Sequence, residues 1–261
     1  MILRRITEHV KTQNWFAVAL DFVIVVAGVF IGIQVANWNE ARLTDQKAAV
    51  FSERLRADLR GEAWSFEFMG GYYRQVLANA RRAHDALSGR APLDDEALLV
   101  AAYRATQYQG FVRRRATWEE LSSTGELGLI RDPALRQLAM DVYEVPAYDW
   151  TVNDGRSSAY RQAFRRTVDL PVQDALAAAC GDRIIEEGDF AGIAGTLDYP
   201  CDPDLDAEAA AVAAQALRAD PDILPLLRLQ ATNTRTNIAN FGYGRNRRLR
   251  ERLQELAGRP R

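Results

Sequence analysis

The pattern of apolar and polar positions begins with one long apolar run near the N-terminus. From Trp15 to Ala36 the chain carries 22 residues with a single ionisable side chain, Asp21. A helix of that length covers about 33 Å, against a bilayer hydrocarbon core of about 30 Å. Trp15 and Trp38 bracket the run, where tryptophan anchors a helix at the headgroup level. The pattern predicts a short leader over 1–14 and a transmembrane helix over 15–38.

Two alternatives to an uncleaved transmembrane helix are a buried core helix and a signal peptide. Core helices of soluble proteins are rarely apolar on every side over this length. A signal peptide has an apolar region of about 7–15 residues that ends in a small-x-small cleavage site. Here the run is longer and its exit reads Gln-Val-Ala-Asn-Trp. We therefore favour a signal-anchor, a single span that is retained.

Beyond this run, apolar positions recur at the spacing of a helix. Ala48, Phe51, Leu55 and Leu59 share one helical face, so the span is predicted to continue as a stalk helix. Helix starts, each marked by a capping side chain, are predicted at Asp94, Thr117, Asp132, Asp202 and Asp220. Runs of alternating β-branched residues are scarce. The sequence predicts an all-α fold: one transmembrane helix continuing into a soluble antiparallel helical bundle over 39–261.

One stripe of the predicted span carries both small residues and the acid. Gly28 and Gly32 form a G-x-x-x-G motif that Ala36 extends, and such spacing lets two helices approach closely in lipid. At about 100° per residue, Asp21 lies within about 20° of both glycines. The functional interpretation is an association face for a second copy or for another inner-membrane protein. The incidental interpretation stays open, because glycine is common in spans and an acid near the boundary is tolerated.

The residues at the end of the span carry a resemblance. The stretch DFVIVVAGVFIGIQVANWNEAR (21–42) resembles the anchor of a widespread, functionally uncharacterised bacterial family, whose Asn-Trp-Asn-Glu-like exit is matched by Asn37, Trp38, Asn39 and Glu40. A second stretch, ATWEELSSTGELGLIRDPALRQLAMDVY (116–143), is similar to the mid-domain segment of that family. The resemblance implies a membrane anchor and a helical domain, and it implies no activity. Hydration at the membrane boundary also explains these polar residue types, so a partner contact there stays open.

Two cysteines bear on which side of the membrane the domain lies. Cys180 and Cys201 enclose 20 residues rich in glycine and turn formers. A disulfide would close this loop and stabilise the fold by about 3 kcal/mol; two separate buried thiols are the alternative. Basic residues flank the span on both sides and do not decide its orientation. Because disulfides persist in the periplasm, the disulfide hypothesis predicts an inner-membrane protein with a cytoplasmic N-terminus and a periplasmic domain.

The C-terminal segment differs in charge from the rest of the chain. Its residues from 228 to 261 include nine arginines and two glutamates, whereas the whole chain has a net charge of −2. The predicted basic face consists of Arg245, Arg247, Arg248, Arg250 and Arg252. Such a face can pair with acids of the bundle or contact anionic lipid. Nucleic acid is not expected as a partner, because a periplasmic domain would not meet it.

Parts for catalysis are few in this sequence. The two histidines, His9 and His84, lie on opposite sides of the predicted span, and no HExxH or Gly-rich phosphate loop occurs. The acid pairs at 119–120 and 186–187 diverge by about 100° on a helix. We expect no metal, no cofactor and no enzyme activity. The leading hypothesis is a membrane-anchored interaction or scaffold protein, and the alternative is a ligand-binding sensor subunit that signals through a partner membrane protein.

Overall fold

The computed structural model describes residues 15–144, 146–242 and 244–258. These residues form α-helices and short 3-10 turns, and no strand occurs among them. The all-α prediction is therefore confirmed. The predicted leader over 1–14 lies outside the described residues. The chain divides into two compact units, Met1–Glu53 and Arg54–Arg261, and each is described by itself.

Ten α-helices lie in the described ranges, and the longest connection between two of them is the segment 181–206. They are α1 (Trp15–Leu87), α2 (Asp95–Arg104), α3 (Ala116–Ser123), α4 (Pro133–Tyr143), α5 (Ala147–Arg156), α6 (Ala159–Thr167), α7 (Leu170–Cys180), α8 (Ala207–Ala219), α9 (Ile223–Gly242) and α10 (Gly244–Leu256). Two 3-10 turns lie at Leu127–Leu129 and Gly192–Gly195. Helix α1 contains both the predicted span and the predicted stalk without interruption.

The first unit consists of the apolar part of α1. Among the described residues, α1 is the one helix that is long and apolar enough to cross a membrane, and none of its apolar stretch is buried. Large apolar side chains such as Phe22, Phe30 and Ile31 are more than half exposed. A contiguous apolar surface of this extent is unusual for a water-soluble helix.

The second unit has a core built around the later part of α1. That part contributes fully buried side chains of Leu55, Leu59, Met69, Tyr72 and Val76. A second buried cluster forms where α2, α6, α7, α8 and α9 meet, with Leu98, Leu99, Tyr160, Phe164, Leu176 and Leu227. The shared composition, aliphatic and aromatic side chains at helical spacing, is what the sequence pattern predicts for packed helices.

Two predicted helix starts are confirmed by their capping hydrogen bonds. The side chain of Asp94 accepts from the backbone N–H of Ala97 at the start of α2. Asp132 accepts from the N–H groups of Ala134 and Leu135, with proline in the first turn of α4. These caps depend on residues two or three positions apart, so the local sequence is enough to identify them.

The other predicted starts were wrong or displaced. Thr117 lies inside α3 rather than ahead of it, and its N–H points at a carboxylate oxygen of Asp58, 3.4 Å away on α1. Asp202 begins no helix, because its side chain accepts from the N–H of Asp204 and closes a turn. Asp206 caps α8 instead. At Asp220 the helix starts three residues later, at Ile223.

Candidate interaction surfaces

The first candidate surface is the small-residue stripe of α1, defined by Asp21, Gly28, Gly32 and Ala36. All four residues are exposed, and apart from the backbone of α1 itself, a Cβ added at either glycine would meet no atom of the described residues within 4 Å. Helical geometry keeps the four positions on one side of α1. The stripe is therefore open in the single chain and has room for a second helix backbone.

The residues at the C-terminal end of the predicted span are exposed as well. Trp38 is 68% exposed, and its neighbours Asn37, Asn39 and Glu40 are also at the surface. The side chain of Trp15 lies outside the described residues. The four polar and aromatic groups at the exit have the amphipathic character that suits a boundary between lipid and water.

The second candidate surface is built on a disulfide. Cys180, the last residue of α7, is bonded to Cys201, and their Cα atoms are 5.3 Å apart. The bond closes the disulfide loop, 181–200, which is irregular apart from the 3-10 turn Gly192–Gly195. Covalent closure limits the conformations that this loop can adopt.

Arg104 ties both ends of the disulfide loop to α2. This side chain is 4% exposed, and its guanidinium donates to the carbonyl oxygens of Cys180 at 3.2 Å and Tyr199 at 3.0 Å. It also lies 4.5 Å from the centre of the Tyr199 ring, on which Arg183 stacks as well at 3.6 Å. Burial lowers the pKa of Arg104, because desolvation disfavours the charged form. The hydrogen bonds and the aromatic face offset that cost.

Gln75 of α1 holds the middle of the disulfide loop through both ends of its amide. Its Nε2 donates to the carbonyl oxygen of Ile193 at 2.7 Å, and its Oε1 accepts from the N–H groups of Leu197 and Asp198, each at 2.8 Å. One turn earlier, a Cβ on Gly71 would overlap the Cγ2 atom of Ile193. Glycine at 71 is thus what allows the loop to approach α1.

The third candidate surface is a cleft between α1 and the disulfide loop. It lies beside the contact of Gly71 with Ile193 and has a volume of about 530 Å³. Its walls include Arg74, Ala78 and Arg82 from α1, and Phe190, Ile193 and Asp198 from the loop. Small-molecule sites have volumes of about 300–1,000 Å³ and combine apolar walls with a few polar groups. The cleft has the size of such a site, and six of its eleven lining residues are polar or charged.

Some charged groups of the cleft have hydrogen-bond partners within the protein and others do not. Glu67 at its rim is held by Arg250, with oxygen–nitrogen distances of 2.5 and 2.7 Å, and by Gln254 at 2.6 Å. Arg74 and Arg82 are exposed, and in the described part of the chain neither makes a hydrogen bond or an ion pair. Two guanidinium groups are therefore available to a ligand.

A buried amide completes the wall of the cleft. Asn79 is 3% exposed, and its Nδ2 donates to the carbonyl oxygen of Gln75 at 2.9 Å. Its Oδ1 is buried and receives no hydrogen bond from the residues that the structure describes. A buried acceptor without a donor costs about 1–3 kcal/mol, so a donor at this point would stabilise the protein.

Two further polar networks lie inside the second unit, and their residues do not line this cleft. Glu62, 4% exposed, pairs with the Nε of Arg113 at 2.7 Å and accepts from the backbone N–H of Arg114 at 2.7 Å. Asp182 accepts from the hydroxyl of Tyr72 at 2.9 Å and from Nε2 of Gln109 at 2.7 Å. Both networks join α1 to segments distant in sequence.

In the network of Asp182 and Tyr72, burial is the largest cause of the pKa shifts. Desolvation raises the pKa of Asp182 even though Tyr72 and Gln109 donate to its carboxylate. The pKa of Tyr72 is raised well above its usual value, first by burial and then by the adjacent Asp182 charge. Tyr72 is therefore neutral at neutral pH, and its hydroxyl donates to Asp182.

The basic C-terminal helix is largely committed to contacts within the domain. Leu249 and Leu253 of α10 are buried. Arg250 pairs with Glu67, and Arg252 donates to Asp141 at 2.9 Å and to the carbonyl oxygen of Ala134 at 2.9 Å. Arg247 and Arg248 are exposed, and the side chain of Arg245 lies outside the described residues. Pairing with the bundle, one of the two alternatives left by the sequence, accounts for Arg250 and Arg252.

Sequence reasoning did not identify the cleft. The spacing of one helical face is shared by Gly71, Gln75, Ala78 and Arg82. The loop residues that form the other side of the cleft lie more than a hundred positions later in the sequence. Over the described ranges, no three His, Cys, Asp or Glu side chains are grouped as metal ligands.

Comparison with protein-family models, with curated proteins and with solved structures finds no match for this chain.

Proposed function

We propose that this protein is a non-enzymatic interaction or scaffold protein of the bacterial envelope, anchored in the inner membrane by the helix over 15–38. The observation that carries the proposal is the fully exposed apolar stretch of α1. Water is a poor solvent for a surface of that size and length, whereas lipid is a good one. The resemblance of 21–42 to a family of bacterial anchors supports the same assignment.

The disulfide supports a periplasmic location for the helical domain. Cys180 and Cys201 are bonded, and such bonds persist where the surroundings are oxidising. The proposed orientation places the N-terminus in the cytoplasm. Among the described side chains of the basic face, the exposed Arg248 is available for contact with anionic lipid, as is Arg247, whose ion pair with Glu251 is also exposed.

Association is proposed to occur through the small-residue stripe. The partner is a second copy of this helix or the helix of another inner-membrane protein. Support comes from the open space over Gly28 and Gly32 and from the tendency of small residues four apart to pack helices closely. Asp21 on the same stripe is costly in lipid without a polar partner, so helix pairing would also relieve that cost.

Cross-linking of the full chain in membranes tests this association. Gly32→Leu and Asp21→Ala are expected to reduce the cross-linked species, or the co-purified partner, several-fold. Ala19→Leu is the matched control, since it also enlarges a small residue but lies about 160° from Asp21 around the helix. If the stripe variants associate as well as the original chain, or if the control loses as much, the stripe is not the interface.

A second candidate function is favoured by the cleft. Two arginines without ion pairs face a volume of about 530 Å³ beside a loop held by a disulfide. In this candidate, the domain binds a small ligand and reports it through a partner membrane protein.

A further inference from the structure

We propose that the cleft between α1 and the disulfide loop binds a small carboxylate with an apolar body and an amide N–H, of the size of an N-acylated amino acid. Arg74 and Arg82 would hold the carboxylate. The inference deepens the second candidate function and rests on it, but it does not depend on the membrane anchor.

The charge of the cleft selects for an anionic group. Arg74 and Arg82 are eight residues apart, about 12 Å along α1, and both line the cleft. The guanidinium of Arg74 lies near Gly70, one turn toward the N-terminus, and a change of rotamer would bring it toward Arg82. Guanidinium groups match the planar geometry of carboxylates. Glu67 does not neutralise them, because Arg250 and Gln254 occupy its oxygens. The other carboxylate of the lining, Asp198, offsets one of the two positive charges and leaves the other.

The floor of the cleft is apolar. Ala78 lies between the two arginines on the same side of α1, and Phe190 and Ile193 face it from the disulfide loop. An aliphatic side chain placed here would be removed from water at a gain that scales with its area. A purely hydrophilic anion such as sulfate would leave this floor uncovered.

Acceptors in the wall call for a donor on the ligand. Asn79 lines the cleft and holds a buried Oδ1 that receives no hydrogen bond in the described ranges. Asp198 adds an exposed carboxylate on the opposite wall. An amide N–H next to the carboxylate of the ligand would donate to the exposed Asp198 carboxylate. The buried Asn79 Oδ1 would accept it only after the Asn79 side chain turns toward the cleft.

The walls are held in place before any ligand arrives. Gln75 makes three hydrogen bonds to the disulfide loop, and the Cys180–Cys201 bond closes the loop behind it. A site that needs little ordering loses less free energy on binding.

A pair of probes isolates the carboxylate. N-acetyl-L-leucine and N-acetyl-L-leucinamide share their body and amide, and only the first carries a negative charge. Titration calorimetry with the full chain in detergent micelles is expected to show saturable binding of the acid, with at least about tenfold weaker binding of the amide. No saturable binding of the acid, or equal binding of both probes, would overturn the proposal.

Variants locate the binding in the cleft. Arg74→Gln and Arg82→Gln are each expected to weaken binding of N-acetyl-L-leucine about fivefold or more, and Ala78→Phe to abolish it by filling the floor. Arg81→Gln is the matched control, because this exposed neighbour carries the same charge and does not line the cleft. If Arg81→Gln weakens binding as much as Arg82→Gln, the effect is general electrostatics and the cleft site is refuted.

The two proposals fail separately. Each variant is first checked for an unchanged unfolding temperature, so that lost binding is not lost folding. Absence of probe binding would overturn the proposed carboxylate site and would not by itself remove a sensor for a ligand of another class. It would leave the anchored interaction protein untouched, because cross-linking of the stripe variants measures association in the membrane.

Discussion

Glu62 is a buried carboxylate whose charge is balanced by one neighbouring guanidinium, that of Arg113. Arg113→Met is predicted to lower the free energy of unfolding by about 3–5 kcal/mol, because it leaves the carboxylate buried without its counter-ion. Guanidinium chloride unfolding of the full chain in detergent measures this. Arg218→Met is the control, since it breaks an exposed pair with Asp95 and should cost less than about 1 kcal/mol. Equal losses in the two variants would contradict the assignment.

Two adjacent glycines give a sharper comparison at the same scale. Gly71→Ala is predicted to destabilise the protein by about 1–3 kcal/mol, because its Cβ overlaps the buried Ile193 side chain. Gly70→Ala has only the flexible end of Arg74 nearby, at 3.6 Å, and should be neutral or stabilising by up to about 1 kcal/mol through helix propensity. Thermal unfolding of both variants measures the difference. Similar effects would mean that the loop does not depend on close approach at 71.

The pKa values of two aspartates are predicted to be shifted in opposite directions. Burial raises the pKa of Asp182, whereas the Thr167 hydroxyl, which donates to its carboxylate, lowers that of Asp220. Carboxyl carbon shifts in NMR should place the Asp182 midpoint above the usual value of about 3.9 and the Asp220 midpoint below it. A midpoint for Asp182 at or below that value would contradict the burial described here.

The two pKa shifts also determine whether the free energy of unfolding rises or falls with pH. Between the usual aspartate pKa and the raised pKa of Asp182, the folded chain binds more protons than the unfolded chain, so this group makes stability fall as pH rises through that window. Asp220 acts in the opposite sense: its contribution is present above the usual pKa and is lost as pH falls through the lowered one.

At the scale of elements, the disulfide loop depends on its covalent closure. Replacing Cys180 and Cys201 together by serine is predicted to lower the free energy of unfolding by about 3 kcal/mol, the chain-entropy value for a loop of this length. Denaturant unfolding of the original chain with and without a reducing agent provides the parallel comparison, and the reduced chain should behave like the double variant. An unchanged midpoint on reduction would show that the hydrogen bonds of Gln75 and Arg104 are sufficient by themselves.

The elements also show where sequence reasoning works and where it stops. The helical pattern and the caps at Asp94 and Asp132 were predictable, because periodicity and capping act over a few residues. The start predicted at Thr117 failed because Asp58, 59 positions earlier, takes part in that helix end. The cleft was not predictable for the same reason, since Gln75 meets Leu197 across 122 positions. Tertiary contacts of this separation leave no local signature.

At the scale of the whole molecule, the two units suit different solvents. The apolar part of α1 is exposed throughout, while the unit from Arg54 onward has a closed core with polar networks and ion pairs at its surface. The predicted span was evident from composition and length alone, since twenty or so apolar residues are enough to identify it. The proposed partner cannot be read from the sequence, because small residues four apart favour a close contact without specifying the other helix.

The central claim is that lipid surrounds the helix over 15–38. Washing isolated membranes with alkaline sodium carbonate, followed by blotting of pellet and supernatant, tests it most directly, because this treatment releases peripheral proteins and leaves spanning ones. The account predicts that the intact chain stays in the pellet. Recovery of the intact chain in the supernatant would contradict it.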